Sequence, residues 1–196
     1  MLLTTQDLQE MQSVYPDYRL ELVDGEIIVM SPSGYASDEV ATEFARQLGN
    51  WVKPKKLGRV TASSAGFNLP DSNTRYPDVS LVKAERLKKS PRFFADLAPD
   101  LMVAVKSPTD SLSKTRKKIQ SFLKVGTQVG ILVNPDERIV EVYRNNYPVQ
   151  ILQDGDSLIL PELLPGWTLL VSELWPVEFD ELFHEQLIIY FCTHLL

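Results

Sequence analysis

Two stretches decide how this chain folds: Asp100-Leu101-Met102-Val103-Ala104-Val105-Lys106-Ser107-Pro108 and, before it, Arg75-Tyr76-Pro77-Asp78-Val79-Ser80-Leu81-Val82. Both read as strands, short runs rich in apolar and β-branched residues bounded by turn-forming ones. Alternate strand residues share a face, so Leu101, Val103 and Val105 point one way, with Val103 and Val105 directed to a core. Met102, Ala104 and Lys106 point the other way, and Lys106 puts an ammonium at the strand end, where packing favours a hydrophobe. Asp78 follows a proline that holds Tyr76 extended.

Outward from these strands, helices alternate with further strands. Thr5 caps a short amino-terminal helix. Residues Tyr18 to Val23 and Glu26 to Met30 flank Asp24-Gly25, a strong short-range hairpin signal. From Ser37, a plausible N-cap, to Val52, apolar residues recur at helical spacing, with Glu39 and Glu43 on one face. Gly58 to Leu69 reads as one strand. Ser111 to Val125 reads as a helix with a stripe of Leu112, Thr115, Ile119, Phe122 and Leu123, stopped by Gly126. The apolar run Gln128 to Val133 is a strand buried on both faces, and Arg138 to Arg144 returns after a turn. Short strands follow near Val149 to Leu152 and Leu158 to Leu160. This order predicts one α/β domain over residues 1–178, a mixed β-sheet flanked by helices.

Composition narrows the function classes. A chain of 196 residues with 44% hydrophobic and 23% charged residues suits a soluble globular domain. The single Cys192 excludes an internal disulfide and a cysteine-based zinc cluster. The two histidines, His184 and His194, lie in the carboxy-terminal tail, which argues against a His-rich metal site or a Ser-His-Asp hydrolase. The amino terminus carries no signal-peptide pattern, and no apolar run approaches the roughly 20 residues of a membrane span. The expectation is a cytoplasmic protein without membrane contact. A net charge of −6 argues against tight non-specific coating of nucleic acid but allows a local basic groove.

A carboxylate and an ammonium on neighbouring strands have a use in phosphodiester hydrolysis. Mg2+ prefers carboxylate, carbonyl and water oxygens. Held by Asp78, it would polarise a phosphate and acidify an attacking water. Lys106 would hold that water or neutralise developing charge.

Pro77-Asp78 followed by x-x-Lys resembles the PD-(D/E)XK nuclease superfamily. More closely, the chain resembles the bacterial Uma-type family assigned as restriction endonucleases, abundant in cyanobacteria. The likeness runs over roughly residues 5 to 178. It rests on Glu21-Leu22-Val23-Asp24-Gly25-Glu26, Arg75 to Val79, Ala98 to Leu101 and Val105 to Asp110. It continues through Lys118-Ile119 with Phe122 and Gly126, Gly130 to Pro135, and Gly166-Trp167-Thr168-Leu169. The resemblance implies a restriction-endonuclease-like α/β fold. It also implies a site in which Asp78, an acid at position 104 and Lys106 act together on DNA with Mg2+ or Mn2+. An earlier carboxylate completes such sites, and Glu43 ranks ahead of Glu39 and Glu21. The implied metal ligands are Asp78, Glu43 and Val105, the last through the kind of carbonyl oxygen Mg2+ prefers.

Ala104 departs from the pattern, since a methyl group cannot ligate a cation. Natural degeneration, compensation elsewhere or a deliberate inactivating substitution would each account for it. Asp100 cannot stand in, because four strand residues separate it by about 13 Å. Weak metal binding and slow or absent cleavage are therefore expected. The alternative is a non-catalytic DNA-binding or assembly module that keeps the nuclease fold.

The basic run Lys114, Arg116, Lys117 and Lys118 commonly signals a solvated helix face. Its functional reading is a phosphate-contacting rim, joined by Lys53, Lys55, Lys56 and Arg59 and by Arg86, Lys88, Lys89 and Arg92. Lys118 also has the spacing from Phe122 that the family shows, which would turn it towards the site. The apolar tail 179–196 is expected either to pack on the core or to form a subunit interface, giving a homodimer.

Overall fold

The computed structural model describes residues 2–179. The tail from 180 onwards, with its expected packing or dimer contact, lies outside the described residues. In chain order the first elements are α1 (Thr5–Val14), β1 (Leu20–Val23), β2 (Glu26–Val29), α2 (Tyr35–Val52), β3 (Gly58–Ala62) and β4 (Phe67–Asn68). β5 (Thr74–Arg75), β6 (Val79–Lys83), β7 (Leu101–Val105) and α3 (Leu112–Lys124) follow. The chain continues with β8 (Val129–Asn134), β9 (Ile139–Arg144), β10 (Gln150–Leu152), β11 (Ser157–Ile159), β12 (Thr168–Leu170) and a 3-10 turn, Val171–Leu174.

The main sheet has six strands in the order β10-β9-β8-β7-β6-β3. β7 and β8 run parallel because α3 carries the chain back between them, while β6–β7 and β8–β9 are antiparallel. A second sheet, β2-β1-β5-β4, stands beside it, and β11 pairs with β12. The alternation in β7 sorts its side chains between two cores. Leu101, Val103 and Val105 join Val40, Phe44 and Leu48 of α2 on one face. Met102 and Ala104 join Ile119, Phe122 and Leu123 of α3 on the other. The central strands are therefore covered on both faces, and all six residues of β8 are buried, as its unbroken apolar run requires.

Three local readings are corrected. Thr4, not Thr5, caps α1: its Oγ1 accepts from Asp7 N–H while the Asp7 carboxylate accepts from Thr4 N–H, a reciprocal capping box. α2 begins at Tyr35 after Gly34, which leaves Ser37 buried inside the helix. The strand expected from Gly58 to Leu69 is two strands, because the chain turns at Ser63–Gly66. A Cβ on Gly66 would lie 2.6 Å from Phe94 Cδ1, so glycine lets the backbone pass there.

The Asp24-Gly25 hairpin forms as expected, with φ of 51° and 80°, both in the left-handed region its turn needs. A Cβ at position 25 would also meet Leu2 Cβ at 2.7 Å. Gly25→Ala is expected to cost about 1 kcal/mol, read as a lower urea midpoint with unchanged slope.

Candidate active site around Asp78

The stretch Arg75 to Val82 is not one strand. β5 ends at Arg75 in the smaller sheet and β6 begins at Val79 in the larger one, so Tyr76-Pro77-Asp78 is the crossing between them. Pro77 has no N–H to give to a ladder, which ends the pairing there. Asp78 is anchored onto β7: its N–H donates to Val103 O at 2.9 Å, and its Oδ2 accepts from Val105 N–H at 2.8 Å. Val79 pairs with Val103 in the antiparallel register, so one step further sets Asp78 opposite Ala104. Ala104 is 3% exposed, its methyl group in the apolar cluster with Met102, Ile119 and Leu132.

An ammonium does approach Asp78, and it comes from α3. Lys118 Nζ donates to Glu21 Oε1 at 2.8 Å and to Tyr76 O at 2.7 Å, two residues before Asp78. Glu21, 2% exposed on β1, also accepts from Tyr76 N–H at 2.9 Å and faces Arg75 Nε at 3.4 Å. Arg75 Nη1 in turn donates to Ser121 Oγ on α3 at 3.0 Å. Glu21 thus ties β1, the Tyr76 crossing and α3 together at one buried point.

The electrostatics separate the two carboxylates. Burial would push Glu21 up, but the Lys118 and Arg75 cations and the hydrogen bonds from Lys118 and Tyr76 N–H together hold it below its ordinary value. At Asp78 burial wins and the carboxyl is raised, against Lys118, the Val105 N–H bond and Arg19. Asp110 adds to the rise. The turn in which Ser107 N–H donates to Asp110 Oδ2 at 2.9 Å brings Asp110 back within electrostatic reach, a bend the sequence left open.

A raised carboxyl costs stability whenever it is ionised in the folded state, so the cost is present above its unfolded pKa, roughly 3.9. Asp78→Asn keeps an acceptor for Val105 N–H and removes that charge. It is expected to raise the urea midpoint at neutral pH, with the gain shrinking as pH falls towards 4. A gain independent of pH would exclude ionisation as its cause.

The other expected site residues are engaged differently. Lys106 makes no ion pair with Asp78; its Nζ is 2.6 Å from Asp136 Oδ2 and 3.2 Å from Ser107 O. Its N–H still donates to Val133 O on β8 at 2.8 Å, and Asp136, just beyond β8, takes its ammonium. Glu43 chelates Arg46 on its own helix at 2.5 and 2.6 Å and accepts from Gln47, which also reaches Glu173. Glu39 lines that same surface hollow. Val105 contributes its N–H to Asp78 while its side chain goes to the α2 core. Arg116 is clamped to buried Glu141 by two hydrogen bonds at 2.5 and 3.0 Å, whereas Lys114 and Lys117 are exposed. Asp100, fully buried, accepts from Lys83 N–H and Gln128 and pairs with Arg86, a structural post between strands.

Arg19 had no sequence signal. Its guanidinium lies 4.8 Å from the centre of the Tyr76 ring and acts on Asp78, and its Nε is buried with no hydrogen-bond partner among the described residues.

A divalent cation, implied by the family resemblance, does not fit the side chains present. Position 104 offers a methyl group. Both Glu21 oxygens face cations, and one Asp78 oxygen is committed to Val105 N–H. Among the described residues no three His, Cys, Asp or Glu side chains converge.

No curated protein matches the chain. Among solved structures it resembles "a putative nuclease belonging to DUF820 from Anabaena variabilis ATCC 29413", with a TM-score of 0.76 and 24% identity over 88% of this chain and 97% of that one. That likeness shows the fold. The cryo-EM structure of a DrdV–DNA complex matches at 14% identity with a TM-score of 0.36, over 79% of this chain and 15% of that one. A family model described as Uma2, "Putative restriction endonuclease", matches residues 5–172. The match spans most of the chain, which therefore belongs to the Uma2 family, and its sheet flanked by helices is a nuclease-like α/β fold.

Proposed function

We propose that the protein acts on DNA as a nuclease-fold hydrolase whose centre is Asp78 with Lys118 and Glu21, and that Ala104 leaves this centre weak or inactive. One observation carries the reading: Ala104 stands opposite Asp78, on the face towards α3, with a buried methyl where a carboxylate would complete the group. Lys118 takes the part read for Lys106, since its ammonium is the one that acts on Asp78. It can neutralise charge on a phosphate oxygen, and Glu21 and Tyr76 O keep it oriented to do so. Asp78, its carboxyl raised by burial, is the group placed to accept a proton from water. Glu21, not Glu43, is the earlier carboxylate beside this centre, and it holds the ammonium in place.

The non-catalytic reading is favoured by the pairing of Glu21 with two cations, which consumes the second carboxylate of the group. Conversion of supercoiled plasmid to nicked circles in Mg2+ or Mn2+ separates the two readings. The hydrolase reading expects faint or no nicking by the native chain and clear nicking by Ala104→Glu; a variant that binds DNA yet never cuts leaves the non-catalytic module.

A further inference from the structure

Two of the four cations that α3 was expected to offer, Arg116 and Lys118, are spent inside the fold, which raises the question of where free positive charge collects. All eight ion pairs among the described residues use cations outside segments 53–59 and 87–93. Those two segments hold Lys53, Lys55, Lys56, Arg59, Lys88, Lys89 and Arg92 and no acidic residue, in a chain whose net charge is −6. The fold brings them together. Arg59, on edge strand β3, donates to Leu87 O at 2.9 Å, Lys88 O at 2.6 Å and Ser90 Oγ at 2.9 Å, pinning the second segment beside the first. Lys53, Arg59 and Arg92 line one cavity of about 640 Å³ between β3 and this loop.

Aromatic rings accompany the charge. Phe93 is 83% exposed, with the Arg92 guanidinium 5.8 Å from its ring centre, and Lys55 Nζ lies 3.5 Å from the centre of the Trp51 ring. A large apolar ring held in water among unpaired cations has no packing role in the fold. At its inner end the cavity reaches Phe94, which packs edge-on against Tyr76 with centroids 5.8 Å apart, two residues from Asp78.

We propose that this groove binds single-stranded nucleic acid, with phosphates on Lys53 and Arg92 and on the exposed Lys88 and Lys89 of the same loop, and a base stacked on Phe93. A single strand fits better than a duplex, because the base faces that stack on an aromatic ring are covered in a duplex. The surface extends the nucleic-acid reading made for the Asp78 centre, yet binding there requires no cleavage.

The test is fluorescence anisotropy, in EDTA, of the full chain with a labelled oligothymidylate of about 16 nucleotides and with a blunt duplex of the same length. The native chain is expected to prefer the single strand. Phe93→Ala is expected to weaken that binding about tenfold, the worth of one base on one ring. The triple variant Lys88→Glu/Lys89→Glu/Arg92→Glu is expected to weaken it further and to flatten its salt dependence. Lys124→Glu, exposed at the carboxy-terminal end of α3 and given no part in binding, should change little. Because these side chains are exposed, the variants should melt with the native protein. Three outcomes each overturn the proposal: unchanged affinity in the triple variant, an equal loss in the α3 control, or binding to anionic lipid vesicles with none to the oligonucleotide. Failure of Ala104→Glu to nick plasmid would instead strike the hydrolase reading and leave this surface standing.

Discussion

Ala104→Glu is expected to raise Mn2+ affinity by about tenfold or more and to convert a chain that scarcely nicks DNA into one that does. The new carboxylate would stand on β7 opposite Asp78, roughly 5 Å away backbone to backbone, facing α3 and Lys118. Two acids so close in a buried place repel and raise each other's pKa. The variant should therefore melt lower than the native protein in EDTA. A dication relieves that repulsion, so Mn2+ should raise the variant's melting temperature in proportion to the logarithm of its concentration, by ligand linkage. The native chain, with one of its carboxylates committed to Lys118 and Arg75, should show almost no such rise. Calorimetric titration reads the affinity and differential scanning the linkage. Equal Mn2+ affinity and equal melting behaviour in the two proteins would remove position 104 from any metal site.

Glu21→Gln is expected to cost the fold about 3 kcal/mol, measured by urea denaturation at neutral pH. The residue supplies the only carboxylate paired with Lys118 and Arg75 among the described residues, whose side chains are 14% and 12% exposed. Glutamine can still accept from Tyr76 N–H, so the loss reports two buried cations deprived of the carboxylate they are bonded to. The sign with pH follows from the lowered carboxyl of Glu21: its contribution is present above the unfolded value, roughly 4.3, and is lost as pH falls through the lower folded value. The gap between native and variant should therefore close on acidification. Glu21→Gln/Lys118→Met removes one stranded charge along with its partner and should recover part of the loss. A double variant as unstable as the sum of its parts would show that the pair is not coupled.

These two residues also mark the boundary between what pattern reveals and what it conceals. The sheet was legible because burial on two faces leaves a signature in one dimension. Val103 and Val105 alternate with Met102 and Ala104, Val129 to Val133 is apolar throughout, and Ile119, Phe122 and Leu123 recur at helical spacing. Asp24-Gly25 announced its turn because few residues tolerate its φ values. Pro77 drew attention to Asp78 as a candidate, and spacing in a family pattern drew attention to Ala104, which the register then set opposite it.

What stayed hidden depends on where an element stops and on which distant element it then meets. Lys106 follows β7, yet its ammonium is taken by Asp136, 30 residues on in sequence and just beyond β8. Lys118 lies 40 residues from Asp78 in sequence and meets the site because α3 packs across β7. Glu43 ranked ahead of Glu39 and Glu21 only until α2 was laid on one face of the sheet and β1 beside the Tyr76 crossing. The linear chain determined the strands, the helices and the missing acid, since hydrophobic periodicity and backbone chemistry act between near neighbours. Only tertiary structure joined Lys118 to Glu21 and Tyr76 O beside Asp78, since a buried charge takes whichever opposite charge the packing brings within hydrogen-bond reach, whatever its place in the sequence.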